Sequence, residues 1–464
     1  MFARWIRRTV LLAALVAVGA GVAAPTQEAQ AAEADAAYVM GYFKESISGA
    51  GNVNALHLAV SDDGRKWEPL NGNNAVLTPT AGTKGIRDPF LYRLRDGRWA
   101  LLATDIPAGG SFTKPNQYIH VWTSPDLVTW SPDRLLKVNG TNTSSYSWAP
   151  ALHWDAARQA YGITFSTVPP GFSHSVIAVS YTTDFVSATN PAIFHDTGSG
   201  IIDSHVVTGG DGANYLYYKD HASGRLAGAR SASVQPGSFA KYTDGVAENP
   251  CTEAPTLVKS LTSSTWMLWG DTYCPNAKFD LWQGDLLSGQ WNKVSRQAYT
   301  APLNAKHNTV HPITAADRDR LVARYGTTSW SLLKSYNHPG HYVRHANLEG
   351  RIGELPFDPY QDAQWRLRTG LAGVGTVSFE SVNYPGHYLR HQGFVVGLAR
   401  NDGTSGFAAD ASFQRVAGLA DASWSSFRPV QYPTRYLRHS SFSLRIDEVT
   451  TATDRADATF DVVQ

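Results

Sequence analysis

At 464 residues the chain is too long for one compact core, and about 150 residues per domain predicts two or three units, with two the working number. Forty Lys and Arg against 39 Asp and Glu leave a net charge of +1, too little to draw in nucleic acid or an anionic membrane, so the expected partner is neutral. Forty Gly, 24 Pro, 14 Trp and 21 Tyr suit short strands, tight turns and rings on which sugar faces stack, although any single Trp serves a core equally well.

Residues 1–31 read as a secretory signal peptide: MFARWIRR is the positive start, TVLLAALVAVGAGVAA the apolar run and Ala29-Gln30-Ala31 the cleavage site. No later stretch approaches the roughly 20 apolar residues of a spanning helix, so a soluble, secreted, extracellular protein is expected.

From 36 to 326 strand-like runs replace helical periodicity: YVMGYF, ALHLAVS, WALLATDI, YIHVWTS, AYGITFS, SVIAVSY, ANYLYYKD, TWMLWGD and FDLWQGD, with AADRDRLVARYG a short helical exception. A longer rhythm overlies them. RDPFL, WAPAL, IDSHV, EAPTL and VHPIT carry Pro89, Pro150, Ser204, Pro255 and Pro312 at steps of 61, 54, 51 and 57 residues. Five blades of about 50–60 residues make a five-bladed β-propeller in which each marker starts an innermost strand. The strands at 38–43 and 55–61 precede the first marker and are expected to complete the last blade.

Three of the inner strands carry an acid at or beside the marker, Asp88, Asp203 and Glu253, and inner strands converge on one axis. An Asp before Pro is often only a turn former, but three acids in register with the blade repeat point to a shared cavity. Glycoside hydrolysis by inversion needs that arrangement: one carboxylate activates water while another group protonates the leaving oxygen. GIRDPF, GIIDSH and CTEAPT resemble glycoside hydrolase family 43 over residues 36–326. The resemblance implies Asp88 as general base, Glu253 as general acid, and Asp203 as the residue that orients the acid and raises its pKa. WAPAL departs from the family's frequent Trp-Ala-Pro-Glu at Ala151; Trp148 is taken as that strand's substrate contact. AKHNTVHPIT resembles the family's last-blade histidine segment, where an imidazole faces the axis and holds a water or a metal cation. His307 is the match and His311 the runner-up, with a structural histidine an equal reading. Beyond that cation or water no cofactor is expected.

Cys251 and Cys274 stand in an oxidising compartment with no neighbouring Cys or His to complete a zinc site, so they are expected to form a disulfide around Glu253.

The last third repeats itself. NHPGHYVRH, NYPGHYLRH and QYPTRYLRH end on His345, His391 and His439, 46 and 48 residues apart, and each is followed by an echo, DAQWRL, DASFQRV and DATFDVV, opening on Asp362, Asp410 and Asp457. Three all-strand units closing about one axis predict a β-trefoil over 331–464. The tripled words resemble the arabinofuranose-binding module, carbohydrate-binding module family 42, which implies one sugar pocket per repeat. His and Asp are read as the hydroxyl-binding groups there, and Tyr and Arg as core.

The expectation is a monomeric two-domain enzyme: an inverting propeller that removes α-L-arabinofuranosyl residues from plant cell-wall arabinan, arabinoxylan or arabinogalactan, and a trefoil that grips them. A propeller ending near Thr327 is expected to hydrolyse small arabinofuranosides by itself. β-Xylosidase, β-galactofuranosidase and exo-galactanase activities remain open, as does a non-catalytic lectin.

Overall fold

The computed structural model describes residues 33–45, 53–107, 110–112, 114–246, 249–274, 278–327 and 329–463; the signal-peptide expectation for 1–31 lies outside them. One compact body spans Asp35–Gln464. Its first part is a ring of five four-stranded antiparallel sheets, the predicted propeller. The innermost strands are Ile86–Arg93, Trp148–Asp155, Ile201–Thr208, Thr252–Lys259 and Ala305–Thr314, in blades 1 to 5. In blades 1 to 4 the three outer strands follow the inner one in sequence. In blade 5 they come from the other end of the chain, where Asp35–Lys44 pairs with Ala305–Thr314, Tyr38 opposite Pro312, and so closes the ring.

Between successive blades lies an apolar seam, because alternate residues of each strand face the next sheet. Val39, Leu58, Leu91 and Leu101 join blades 5 and 1, Phe90, Leu102, Ala151 and Ile163 join 1 and 2, and Ile177, Ile201 and Leu216 join 2 and 3. Leu226, Leu257 and Leu268 join 3 and 4, and Met40, Val258 and Met267 join 4 and 5. Burying each of the larger of these side chains contributes about 1.5–3 kcal/mol, and a blade standing alone would expose both of its seams.

Pro89, Pro150, Pro255 and Pro312 all sit on inner strands, which are sheet edges and lose no ladder bond to a missing N–H. This explains one misplaced marker. Pro312 pairs in regular register, and the blade 5 position equivalent to Asp88 is His307, where the backbone breaks as it does in the other blades.

The helix Ala315–Tyr325 follows blade 5; Thr314 Oγ1 accepts from Asp317 N–H at its start, Gly326 (φ 72°) ends it, and Leu321 packs into the seam of blades 5 and 1. Beyond it, strands from Leu332–Ser335 to Phe460–Val463 form one twelve-stranded antiparallel sheet. Three hairpins, His341–Glu354, His387–Arg400 and Arg435–Glu448, pair with one another at Glu349/Gly397, Val395/Arg445 and Arg351/Ser443. The core repeats with them: Val343, Leu389 and Leu437, then Ile352, Leu398 and Ile446, then Trp365, Phe413 and Phe460. The middle letter of each Tyr-Leu/Val-Arg word is thus the core residue, and the Arg, read as core from the sequence, instead reaches the carboxylate of its own repeat.

Candidate active site

Each inner strand breaks register near its start. In blades 1 to 4 the slip lies between Arg87 and Phe90, Trp148 and Ala151, Ile202 and His205, and Glu253 and Thr256; in blade 5 it lies opposite Gly41 to Phe43. At every break one non-glycine residue is left-handed: Asp88 (φ 53°), Ala149 (47°), Asp203 (56°), Ala254 (56°) and His307 (38°). A left-handed L-residue costs about 1–2 kcal/mol, and bulges of this kind re-aim side chains beside active sites. Neighbouring groups hold them in place. Ala149 N–H donates to Thr104 Oγ1 (2.8 Å), Asp203 N–H to Ser166 Oγ (3.0 Å), Ala254 N–H to Asp203 Oδ2 (3.1 Å) and His307 N–H to Asp271 Oδ2 (2.9 Å).

The five breaks form one level around the axis and bring Asp88, Asp203, Glu253 and His307 into one electrostatic cluster. His307 Nδ1 lies 2.9 Å from Asp88 Oδ1, and Thr104 Oγ1 donates to Asp88 Oδ2 at 2.7 Å. Burial pushes the Asp88 carboxyl up, but the His307 charge and hydrogen bond, the Arg87 charge and the Thr104 hydroxyl outweigh it and hold the group at about 2. Glu253 goes the other way: burial first, then the charges of Asp203 and Asp271, raise it to about 8 against the pull of Lys306 and His307. Burial raises Asp203 to about 6, with His307 opposing and Asp88 adding to the rise. Burial lowers His307, but Asp88, Asp203 and Glu253 together lift it to about 9. Near neutrality the site therefore presents an ionised Asp88 and a protonated Glu253. Paired with the Asp88 carboxylate, His307 is an imidazolium there. Among the described residues no three His, Cys, Asp or Glu side chains gather as a metal set. His311 is half-buried: its Nδ1–H donates to Pro312 O (2.8 Å) and its ring packs edge-on against Trp99.

A second tier of polar residues went unread in the sequence. Thr104, Ser166, Lys219 and Asp271 stand opposite Arg87, Trp148, Ile202 and Glu253, each on the second strand of its blade. Lys219 Nζ donates to Gly224 O (3.0 Å), Pro250 O (2.5 Å) and Thr252 O (2.8 Å), tying down the chain that leads into Glu253. Asp271 accepts from Lys306 Nζ (3.0 Å) as well as from His307 N–H. The signal was present, since each closes an apolar run (WALLAT, YGITFS, NYLYYK, WMLWGD) with a polar residue at the same height. The Cys251–Cys274 disulfide braces the same segment, with Cα atoms 5.6 Å apart. Trp148 stacks on Tyr146 (3.6 Å, 12°) and meets the edge of Phe112 at the rim.

In the C-terminal sheet each His and Asp pair is completed by the following repeat. His345 Nε2–H donates to Asn383 Oδ1 (3.1 Å) and Asn383 Nδ2 to Asp362 Oδ1 (2.8 Å); His439, Asn337 and Asp457 repeat this at 3.0 and 2.6 Å. Tyr384 and His338 lie edge-on to those two imidazoles. The middle set differs. Gln431 takes the asparagine position and is exposed, His391 Nε2 is buried with no partner among the described residues, and Asp410 lies 3.8 Å from His391 Nδ1, with Tyr432 beside the ring. The aromatic of each set therefore comes from the start of the next phrase, not from the Tyr before Leu/Val-Arg-His.

A propeller whose axial mouth pairs an ionised carboxylate with a protonated one belongs to the glycoside hydrolase class. Residues 33–319 match the family model of glycoside hydrolase family 43-related proteins, described as a probable glycosyl hydrolase domain, and the chain belongs to that family. Residues 333–462 match the α-L-arabinofuranosidase B (ABFB) domain. The chain is 54% identical over 127 residues to an extracellular exo-α-(1→5)-L-arabinofuranosidase of Streptomyces avermitilis, covering 27% of this chain and 26% of that protein. It is 29% identical over 210 residues to an α-L-arabinofuranosidase of Bifidobacterium longum subsp. longum, covering 39% and 19%. The matched stretches thus span about a quarter or less of these relatives' length. Among solved structures, a GH43 β-1,3-galactosidase superposes with a TM-score of 0.43 at 10% identity, covering 93% of this chain and 89% of that one.

Proposed function

We propose that the protein is a secreted, inverting α-L-arabinofuranosidase with a propeller catalytic domain over 36–326 and a β-trefoil sugar-binding domain over 331–464. The observation that carries the reading is the convergence of Asp88, Asp203, Glu253 and His307 on one axial mouth, where their surroundings favour an ionised Asp88 and a protonated Glu253. Asp88 takes a proton from a water, whose oxygen attacks the anomeric carbon; Glu253 gives its proton to the glycosidic oxygen as that bond breaks. The products are arabinose of inverted configuration and a shortened polymer, after which Asp88 returns its proton to solvent and Glu253 regains one. Asp203 fixes Ala254 N–H beside the acid and keeps Glu253 protonated by its charge.

Arabinofuranose is favoured as the sugar by the ABFB domain and by the two relatives named for that activity. The threefold repetition of hairpins and core residues supports the trefoil, and the His, Asp and Asn sets supply the donors and acceptors a furanose needs. The leader and the extracellular relative support secretion; among the described residues no helix is long and apolar enough to cross a membrane. Incubation with 4-nitrophenyl α-L-arabinofuranoside tests the activity. Release of nitrophenol that is lost in Asp88→Asn supports it, whereas no turnover by the wild-type protein, with retention on arabinoxylan, supports the lectin reading.

A further inference from the structure

Arg87 stands immediately before Asp88, and its guanidinium lies over two rings, 4.5 Å from the centroid of Phe43 and 4.7 Å from that of Phe112. Phe43 is buried; Phe112 is half exposed at the rim and meets Trp148 edge-on. A guanidinium offers five N–H donors, and half-buried arginines normally use them. Arg93 bonds Asp35 and Arg296 bonds Asp280, whereas Arg87 makes no hydrogen bond or ion pair with any described residue. Ring faces hold a guanidinium flat by cation–π attraction and leave its N–H edge free. A cation restrained by two rings, without a hydrogen-bond partner among the described residues and next to the candidate base, is built to receive oxygen atoms that arrive with a ligand.

We propose that Arg87 is a substrate-contacting residue whose N–H edge donates to hydroxyl groups of the sugar released at the Asp88 site. This rests on the mouth being the active site. Polar groups at the base's side of the sugar ring face the unit being cleaved off, so the contact belongs to that sugar and not to the distal polymer. The plainer role, in which the Arg87 charge only keeps Asp88 ionised, predicts a different result.

The test compares kcat/KM of the wild-type protein, Arg87→Met and Phe112→Ala on a nitrophenyl α-L-arabinofuranoside and on its 2-, 3- and 5-deoxy analogues. Arg87→Met should lose about 10- to 100-fold on the parent, the size expected for hydrogen bonds from a charged donor. The loss should shrink to within about threefold on the analogue lacking the contacted hydroxyl, because a partner already absent cannot be lost twice. Phe112→Ala, which removes one of the two rings that hold the guanidinium, should show the same analogue dependence in weaker form. These ratios do not depend on how much of a variant folds. An equal loss on every analogue would assign Arg87 to charge alone and overturn the proposal, as would no loss on the parent. Should the wild-type protein prefer a xyloside or galactofuranoside, the arabinose reading fails and Arg87 is judged on deoxy forms of that sugar; if it cleaves none, both fail.

Discussion

Asp88 and Glu253 are carboxyl groups of similar intrinsic strength, held about six pH units apart by a paired imidazolium on one side and buried like charges on the other. The active form has Asp88 ionised and Glu253 protonated, so kcat/KM should be level through pH 5–7 and fall above about pH 8, where Glu253 gives up its proton. A basic limb near pH 5 would show that the acid lies elsewhere. Asp203 adds a stability term. Its pKa is about 6 folded against an ordinary 3.8, so the fold favours the protonated form, and stability falls as pH rises from about 4 to about 6 and stays reduced above that. Asp203→Asn should therefore raise stability at pH 8 by roughly 1–3 kcal/mol, with little gain at pH 4, while turnover collapses. Thermal unfolding at the two pH values checks this, and a lower melting temperature at pH 8 would contradict it. The three acids were legible because a chemical motif and a blade repeat coincide on them. Thr104, Ser166, Lys219 and Asp271 were not, because a polar residue ending an apolar run looks like any strand end until pairing shows what it faces.

Strand count and blade period were readable because each blade repeats one apolar alternation; the backbone break beneath the markers was not, since a left-handed Ala or His has no letter of its own. Proline misled at one point. On an inner edge strand it marks tolerance for a missing N–H, which is why Pro312 mimicked a marker four residues past Asn308, the residue equivalent to Pro89. In the C-terminal sheet the repeat was plain, but pockets shared between consecutive repeats become visible only when the hairpins pair. Asn383 and Asn337 clasp the first and third His and Asp sets, and Gln431 leaves the second without a clasp. A network fixed before the ligand arrives binds better than one that must be ordered. On arabinoxylan, Asp362→Ala and Asp457→Ala should each weaken retention more than Asp410→Ala, and the triple variant should nearly abolish it. Affinity electrophoresis measures this, and loss of all retention on Asp410→Ala alone would reverse the ranking.

At the scale of the whole molecule the two parts are not beads on a linker. Asn73 joins them: its carbonyl accepts from Lys44 Nζ (2.7 Å) and Tyr360 OH (3.3 Å), and its side chain bonds Tyr42 and Leu303. Gln297 and Asn304 donate to Tyr336 O and Phe357 O, Lys334 Nζ donates to the Arg296 and Tyr299 carbonyls, and Leu303 lies in one apolar cluster with Trp330, Leu332 and Tyr360. Ending the chain near Thr327 would bare this cluster and leave Lys44 without Tyr360, so the shortened propeller should melt at a lower temperature and associate, contrary to the independence expected from the sequence. A truncated protein that stays monomeric in size-exclusion chromatography with an unchanged melting temperature would restore that independence. The joint holds the three His and Asp sets and the axial mouth in one compact body, and the proposal to be tested is that this mouth hydrolyses an arabinofuranoside with Asp88 as base and Glu253 as acid. The most direct measurement is proton NMR of the first product formed from methyl α-L-arabinofuranoside, whose alkoxide leaves only when protonated, by the wild-type protein and by Glu253→Gln. The account predicts β-L-arabinofuranose before anomeric equilibration, and a variant slower by about 100- to 10,000-fold; α-L-arabinofuranose as first product, or a variant as fast as the wild type, would contradict it.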